Sequence, residues 1–287
     1  MREFAGKTAF VTGGAAGIGL ALGRAFARVG MNVMLADIET ATLTAAVKSL
    51  ENPETSIRGI VCDVADPSSV ERAAQASFEA FGNVHVVCNN AGVAAGGGID
   101  NISLDNWRWV LDVNLMGVLH GIRSFLPHLR GHGEGGHFVN TASMAGISGG
   151  LGLSPYTASK FAVVGMSEGL AAQLRPFGIG VSVLCPSYVR TGIGESGRNR
   201  PPRYGSAPVL DPNSPAAAMV AAIAASLQAG LEPDSVAARV LEAIRNDEFY
   251  VFTHPNMREQ VDGRFAAIQA AMDKVDHGPK VAISGPG

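Results

Sequence analysis

The feature that most constrains this chain is the alternation of short apolar runs with longer helical patterns. Thr8-Ala9-Phe10-Val11, Asn32-Val33-Met34-Leu35-Ala36, Ile57-Arg58-Gly59-Ile60-Val61 and Val84-His85-Val86-Val87-Cys88 each read as a strand. So do Gly136-His137-Phe138-Val139-Asn140, Gly180-Val181-Ser182-Val183-Leu184 and Glu248-Phe249-Tyr250-Val251-Phe252. Helical spacing fills 18–29, 43–50, 70–81, 104–130 with a break near Pro127, and a segment that carries Tyr156 to about Pro176. A further helix is expected over 215–229, with Ser214 as N-cap, Pro215 in its first turn and Gly230 at its end. Strands that are apolar throughout, separated by helices, belong to a parallel sheet covered on both faces. Right-handed crossovers then give a doubly wound α/β fold with seven parallel strands.

One domain over 1–255 is expected, including a substrate loop and helix over 191–230, with 191–213 able to close over a bound substrate. A C-terminal helix and tail follow over 256–287, where Met257, Val261, Phe265, Ile268, Met272 and Val275 recur at helical spacing. Gly supplies 36 of 287 residues, well above the usual share of roughly 7%. That suits tight turns and close helix–sheet contacts. A formal net charge of -3 gives no reason to expect nucleic acid or a membrane as partner. No run approaches the roughly 18 apolar residues of a membrane span. The start, Met1-Arg2-Glu3-Phe4, has no apolar signal region, so a cytoplasmic protein is expected. Cys62, Cys88 and Cys185 each lie in or beside an apolar run and read as buried thiols in a reducing compartment.

The turn after the first strand is Thr12-Gly13-Gly14-Ala15-Ala16-Gly17-Ile18-Gly19, and it opens a helix. Glycines let the backbone approach a pyrophosphate, and a helix N-terminus attracts its charge. Gly13, Ala15, Gly17, Ile18 and Gly19 are therefore candidate cofactor contacts. Asp37 lies 18 residues beyond Gly19, near the roughly 20 at which a carboxylate meets the adenosine ribose. A carboxylate there repels a 2′-phosphate, and no Lys or Arg stands in the glycine turn or directly after Asp37. NAD is favoured over NADP. Asp63 and Val64, after the third strand, are candidates for the adenine, although Asp63 could equally begin the turn into Asp66-Pro67.

Tyr156 and Lys160 sit four apart, on one face if the segment is helical. An ammonium beside a phenol favours the phenolate, which can move a proton on and off an alcohol. Ser143, thirteen residues upstream of Tyr156, can steady an alkoxide or carbonyl oxygen.

Together the residues resemble the short-chain dehydrogenase/reductase family over about 5–255. The resemblance rests on Thr12-Gly13-x-x-x-Gly17-x-Gly19, Asn89-Asn90-Ala91-Gly92, Asn114, Ser143 and Tyr156-x-x-x-Lys160. It implies a Rossmann-type fold and an NAD-dependent oxidoreductase interconverting a secondary alcohol and a ketone. Tyr156 would be the acid/base, with Lys160 lowering its pKa and binding the nicotinamide ribose. Ser143 would bond the substrate oxygen, and Asn114 would interrupt its helix and hold a water connecting Lys160 to solvent. Asn90, Ala91 and Gly92 would support the cofactor. Where the family usually has Pro-Gly after strand six, this chain has Pro186-Ser187; Val189-x-Thr191 still matches the segment contacting the carboxamide. Val93, Met144, Leu151, Leu153 and Tyr188 would form an apolar pocket wall, suggesting a hydrophobic or aromatic substrate. The Phe249-to-Pro255 end with its added helix is similar to bacterial dehydrogenases of bulky aryl alcohols. A homo-oligomer, dimer or tetramer, is expected. The alternative is a catalytically idle dinucleotide-binding scaffold or regulatory protein of the same fold. His128, His132 and His137 read as a solvated turn rather than a metal site, so no metal is expected. Arg198, Arg200 and Arg203 read as a solvated, mobile loop more readily than as an anion site.

Overall fold

The computed structural model describes residues 1–51, 54–95, 99–100, 102–149, 153–205, 211 and 213–277. Among these are seven strands, β1 Thr8–Thr12, β2 Asn32–Asp37, β3 Ile57–Val61, β4 Val86–Asn89, β5 Gly136–Thr141, β6 Ile179–Cys185 and β7 Tyr250–Phe252. They form one all-parallel sheet in the order β3-β2-β1-β4-β5-β6-β7. This is a Rossmann-type arrangement. The chain builds outward from β1 to β3, then returns to place β4 on the other side of β1. The crevice between the carboxyl ends of β1 and β4 is the switch point where such sheets take ligands.

The helices are α1 Gly17–Arg28, α2 Thr40–Leu50, α3 Pro67–Phe81, α4 Leu104–Leu111, α5 Gly117–His132 and α6 Ser154–Leu174, then α7 Pro215–Gln228, α8 Pro233–Asn246 and α9 Arg258–His277. Local chemistry fixes several starts. Asp66 accepts from Ser68 N–H at 3.0 Å ahead of Pro67, and Ser214 accepts from Ala217 N–H at 3.1 Å ahead of Pro215. Under the sheet centre, Phe10, Phe26, Phe125 and Phe138 are fully buried. All three cysteines are free and buried. No described helix is long and apolar enough to cross a membrane.

The structure departs from the sequence expectations in four places. Pro127 does not break its helix: α5 runs through it to His132, held by buried Phe125 and Leu129 on either side. The interruption comes earlier, as a π-helical turn over Asp112–Met116. Helix α8 was not foreseen, although Val236, Ala237, Val240, Ala243 and Ile244 make a buried helical stripe. Residues 192–199 and 202–204 of the expected open loop wind into short 3-10 turns. Finally, His137 is not part of a solvated turn. It is fully buried on β5, with Nε2 at 2.8 Å from the Ser182 hydroxyl, which itself donates to Glu248 O. His137 Nε2–H therefore donates, and burial lowers the ring's pKa to about 3.

The chain falls into two compact units, the first spanning Met1–Thr253 and the second beginning at His254. The second contains α9, on which Phe265, Ile268, Met272 and Val275 are exposed.

Candidate active site

The glycine turn is built by backbone demands. Gly13 and Gly17 adopt φ of 63° and 53°, which favours glycine. A Cβ on Gly19 would lie 1.9 Å from Gly13 O, so the turn closes only on a bare backbone. Asn90 pins it: its Nδ2 donates to Thr12 O at 3.0 Å, while Thr12 Oγ1 accepts from the N–H of Asn90 and of Ala91. No side chain caps α1 and no acidic residue occupies its first turn, leaving its positive end facing the crevice. Asp37, at the end of β2, accepts from Ala15 N–H at 2.9 Å and from Glu39 N–H at 3.0 Å. Asp63 accepts from Ala65 N–H, and Val64 is buried against Gly117. Ala15 is buried and Ile18 half-buried.

Beyond β5 the chain turns at Ser143, and α6 runs back close beneath it. A Cβ on Gly146 would meet Lys160 O at 2.5 Å, so this glycine sets how near α6 approaches. Ser143 Oγ accepts from Ala145 N–H and shares a hydrogen bond with the Tyr156 phenol. Lys160 is 2% exposed; its Nζ donates to Thr141 O at 2.8 Å and sits 5.5 Å from the Tyr156 ring centre. Burial lowers Lys160 to about 8. Burial is also the larger influence on Tyr156: it raises the phenol, and the Ser143 hydrogen bond opposes that.

Asn114 lies in the π-helical turn and is fully buried. Its Oδ1 accepts from Val93 N–H at 2.8 Å, and its Nδ2 donates to Val93 O and to Ser159 Oγ. Ser159 in turn donates to Tyr156 O at 2.6 Å. The Asn114 amide therefore ties the segment after β4 to the helix bearing Tyr156. Gly92 lies at the same place, its missing Cβ 3.4 Å from Asn114 Oδ1 and 3.6 Å from Lys160 Nζ. Pro186 O accepts from Met144 N–H at 2.9 Å, Val189 is buried, and the Thr191 methyl packs at Gly17. Of the expected pocket wall, Val93 and Met144 are buried, Leu153 is half-buried and Tyr188 is exposed. Leu151 lies outside the described residues.

The segment 192–205, expected as part of a substrate loop, is tied down here by contacts that the sequence did not disclose. Ser196 is buried, accepts from Ala94 N–H at 2.9 Å and donates to Ala94 O. Arg198 pairs with Glu39 at 2.7 Å, Arg203 with Asp63 at 2.8 Å, and Arg200 with Asn106. Arg198 and Arg203 remain solvent-exposed, as expected, yet each is paired with a carboxylate, while Arg200 ties the segment to α4 through Asn106. Tyr204 is buried and donates to Asp112 at 2.9 Å. It packs with Val93, Trp109 and Val110, and Tyr156 packs against that cluster. The available signal was composition: carboxylates on the rim and arginines in the loop.

A glycine turn closed on bare backbone, with Ser143, Tyr156 and Lys160 brought together beside it, is the candidate site, of a kind that suits a nucleotide-dependent oxidoreductase. Residues 7–201 match the family model for the short chain dehydrogenases, and the chain belongs to that family. It is an oxidoreductase of alcohols and ketones. Over 98% of this chain and 92% of the relative, it is 31% identical to a C alpha-dehydrogenase of a Sphingobium species. It is 33% identical to the 1-deoxy-11-beta-hydroxypentalenate dehydrogenase of Streptomyces exfoliatus, over 90% and 87% of the two chains. Among solved structures, a short chain dehydrogenase/reductase from Burkholderia phymatum in complex with NAD is 38% identical. It has a TM-score of 0.90 and covers 94% of this chain and 97% of its own.

Proposed function

We propose that the protein is an NAD-dependent dehydrogenase of secondary alcohols and the matching ketones, acting on a hydrophobic or aromatic substrate. The observation that carries the reading is the joint placement of Tyr156, Ser143 and Lys160 beside the glycine turn. The crevice suits the cofactor: a Cβ at Gly19 would fill the cradle, and the N-terminal end of α1 has no side-chain cap. Gly13, Ala15, Gly17, Ile18 and Gly19 would take the pyrophosphate, and Asp37 the adenosine ribose. Asp63 and Val64 would flank the adenine, with Asn90, Ala91 and Gly92 beneath. Pro186, Val189 and Thr191 would meet the nicotinamide, and Tyr156 and Lys160 its ribose. Bound NAD supplies the hydride acceptor.

The chain's own residues do the rest. Ser143 donates to the substrate oxygen. Tyr156 removes the hydroxyl proton during oxidation and returns it during reduction. Lys160 keeps a positive charge behind the phenol, and Asn114 fixes the helix that carries both. Val93, Met144 and Leu153 give the pocket an apolar side, which fits a bulky apolar alcohol. The Cα-dehydrogenase name of the Sphingobium relative supports an aryl substrate. A cytoplasmic homo-oligomer, dimer or tetramer, belongs to the same reading; exposed Tyr250 and Phe252 on edge strand β7 suit a subunit contact.

The test is NAD reduction across a panel of aliphatic and aryl secondary alcohols, repeated with NADP. The expected result is turnover with NAD, greater on aryl alcohols. Tyr156→Phe should retain NAD binding and lose roughly 10²-fold or more in turnover. Binding of NAD with no turnover on any alcohol would indicate the idle scaffold instead.

A further inference from the structure

We infer that Tyr204 determines substrate specificity, as an aromatic wall beside the catalytic phenol; this rests on the alcohol dehydrogenase reading above. Substrate oxygen must lie between Ser143 and Tyr156, so the groups on its carbon lie against whatever packs around the Tyr156 ring. Tyr156 packs against the buried cluster of Val93, Trp109, Val110 and Tyr204. Val93 stands in the segment after β4, tied to Asn114, and Trp109 and Val110 stand on α4. Tyr204 arrives from the short turn Pro202–Tyr204, outside any sheet or long helix.

That turn is nevertheless held closely. The Tyr204 hydroxyl donates to Asp112 Oδ2 at 2.9 Å, at the first residue of the π-helical turn that also contains Asn114. The Arg203 guanidinium lies 4.8 Å from the Tyr204 ring centre and pairs with Asp63 at 2.8 Å. Arg200 lies 5.2 Å from the Trp109 ring centre and donates both to Asn106 and to Tyr204 O. Two cations thus lie over two aromatic rings of the cluster against which Tyr156 packs. A tyrosine that only anchored the segment would need its hydroxyl bond to Asp112. It would not need its ring in the same cluster as Tyr156. The ring placement is what gives Tyr204 a say in which carbon skeleton fits, and an aromatic wall favours an aryl over an alkyl substituent.

The experiment measures NADH-dependent reduction of acetophenone and of butanone by the wild type, Tyr204→Phe and Tyr204→Ala. Tyr204→Phe keeps the ring and removes the Asp112 bond; Tyr204→Ala removes both. The readout is the ratio of kcat/KM for acetophenone to that for butanone. Tyr204→Ala should lower it about tenfold or more, while Tyr204→Phe leaves it within about threefold. NADH affinity, read by fluorescence, should stay within about threefold in both variants. A Tyr204→Ala enzyme in which both ketones lose equally, with the ratio unmoved, would show a structural anchor and overturn the proposal. A ratio that collapses as far in Tyr204→Phe as in Tyr204→Ala would assign the effect to the Asp112 bond and also overturn it. A wild type that binds NADH and reduces neither ketone nor any other on a wider panel would instead remove the functional reading on which the proposal rests.

Discussion

Replacing Lys160 with Met should make the protein more stable at neutral pH while abolishing its activity. Lys160 is 2% exposed, and burial lowers its pKa from 10.5 to about 8. At about 1.4 kcal/mol per tenfold, that gap corresponds to about 3 kcal/mol of stability withheld from the folded state. Below the folded value the amine is charged in both folded and unfolded chains, so the whole penalty is present. Between the two values the unfolded chain holds more protons, and stability rises with pH. Above the unfolded value the amine is neutral in both states and the penalty is gone. Against it stands the hydrogen bond from Nζ to Thr141 O at 2.8 Å, a charge-assisted bond worth about 1.5–3 kcal/mol that Met lacks. At about pH 7 the net change should therefore lie between zero and about 2 kcal/mol in favour of Met. The pH dependence is the sharper observable, because other titrating groups cancel in the difference between the two proteins. Urea unfolding, followed by tryptophan fluorescence from about pH 7 to about pH 10, should show the wild type gaining on Lys160→Met by about 2–3 kcal/mol. Curves that run parallel would mean that Lys160 keeps its ordinary pKa in the fold, and the argument from burial would fail.

Three further outcomes follow from the same geometry. Gly121→Ala places a Cβ 1.9 Å from Asn89 Oδ1, on a buried side chain that donates to Asn140; it should cost about 1–3 kcal/mol or more, read as a lower Tm. Asp37→Ala should weaken NAD binding and narrow its advantage over NADP, and a wild type that prefers NADP in side-by-side kinetics would refute the role given to Asp37. His137 is held neutral in the fold, at about 3 against an ordinary 6.5, so only the unfolded chain gains a proton as pH falls through 6.5. Stability should then drop by about 1.4 kcal/mol per pH unit below that point, and His137→Asn should show a shallower decline in urea midpoints.

The sheet was legible because its strands are apolar on both faces, which fixes parallel pairing without knowledge of any partner. The candidate site's positions could be read together because the glycine turn, Ser143, Tyr156 and Lys160 occur at separations set by single turns and helices. Helix α8 escaped notice because its five buried positions are interspersed with charged residues between Pro233 and Asn246. Pro127 misled in the opposite direction. Its missing N–H predicts a break, but burial of Phe125 and Leu129 outweighs one lost helical bond. The composition of 192–205 gives a loop, but its anchoring could not be read from local pattern, since its partners lie far off: Arg203 meets Asp63 across 140 positions and Arg198 meets Glu39 across 159.

Those long-range pairs bear on how the crevice rim manages its charge. Judged by neighbours in sequence, Asp37 has no cation nearby, and in space Arg198 reaches Glu39, two residues on. Such a cation could in principle receive a 2′-phosphate. It is already committed, however: Arg198 Nε and Nη2 both donate to Glu39 Oε1, and Nη1 donates to Gly192 O and Glu195 O. The Asn199 amide, with Arg198 assisting, holds the Glu39 carboxyl below its usual range, so that pair stays ionised and internally neutral. Asp37 is then left as the rim's uncompensated carboxylate, fixed by the N–H groups of Ala15 and Glu39. On the proposed reading, the choice of NAD depends on how the arginines are spent as well as on Asp37, and a segment 159 positions away takes part in it.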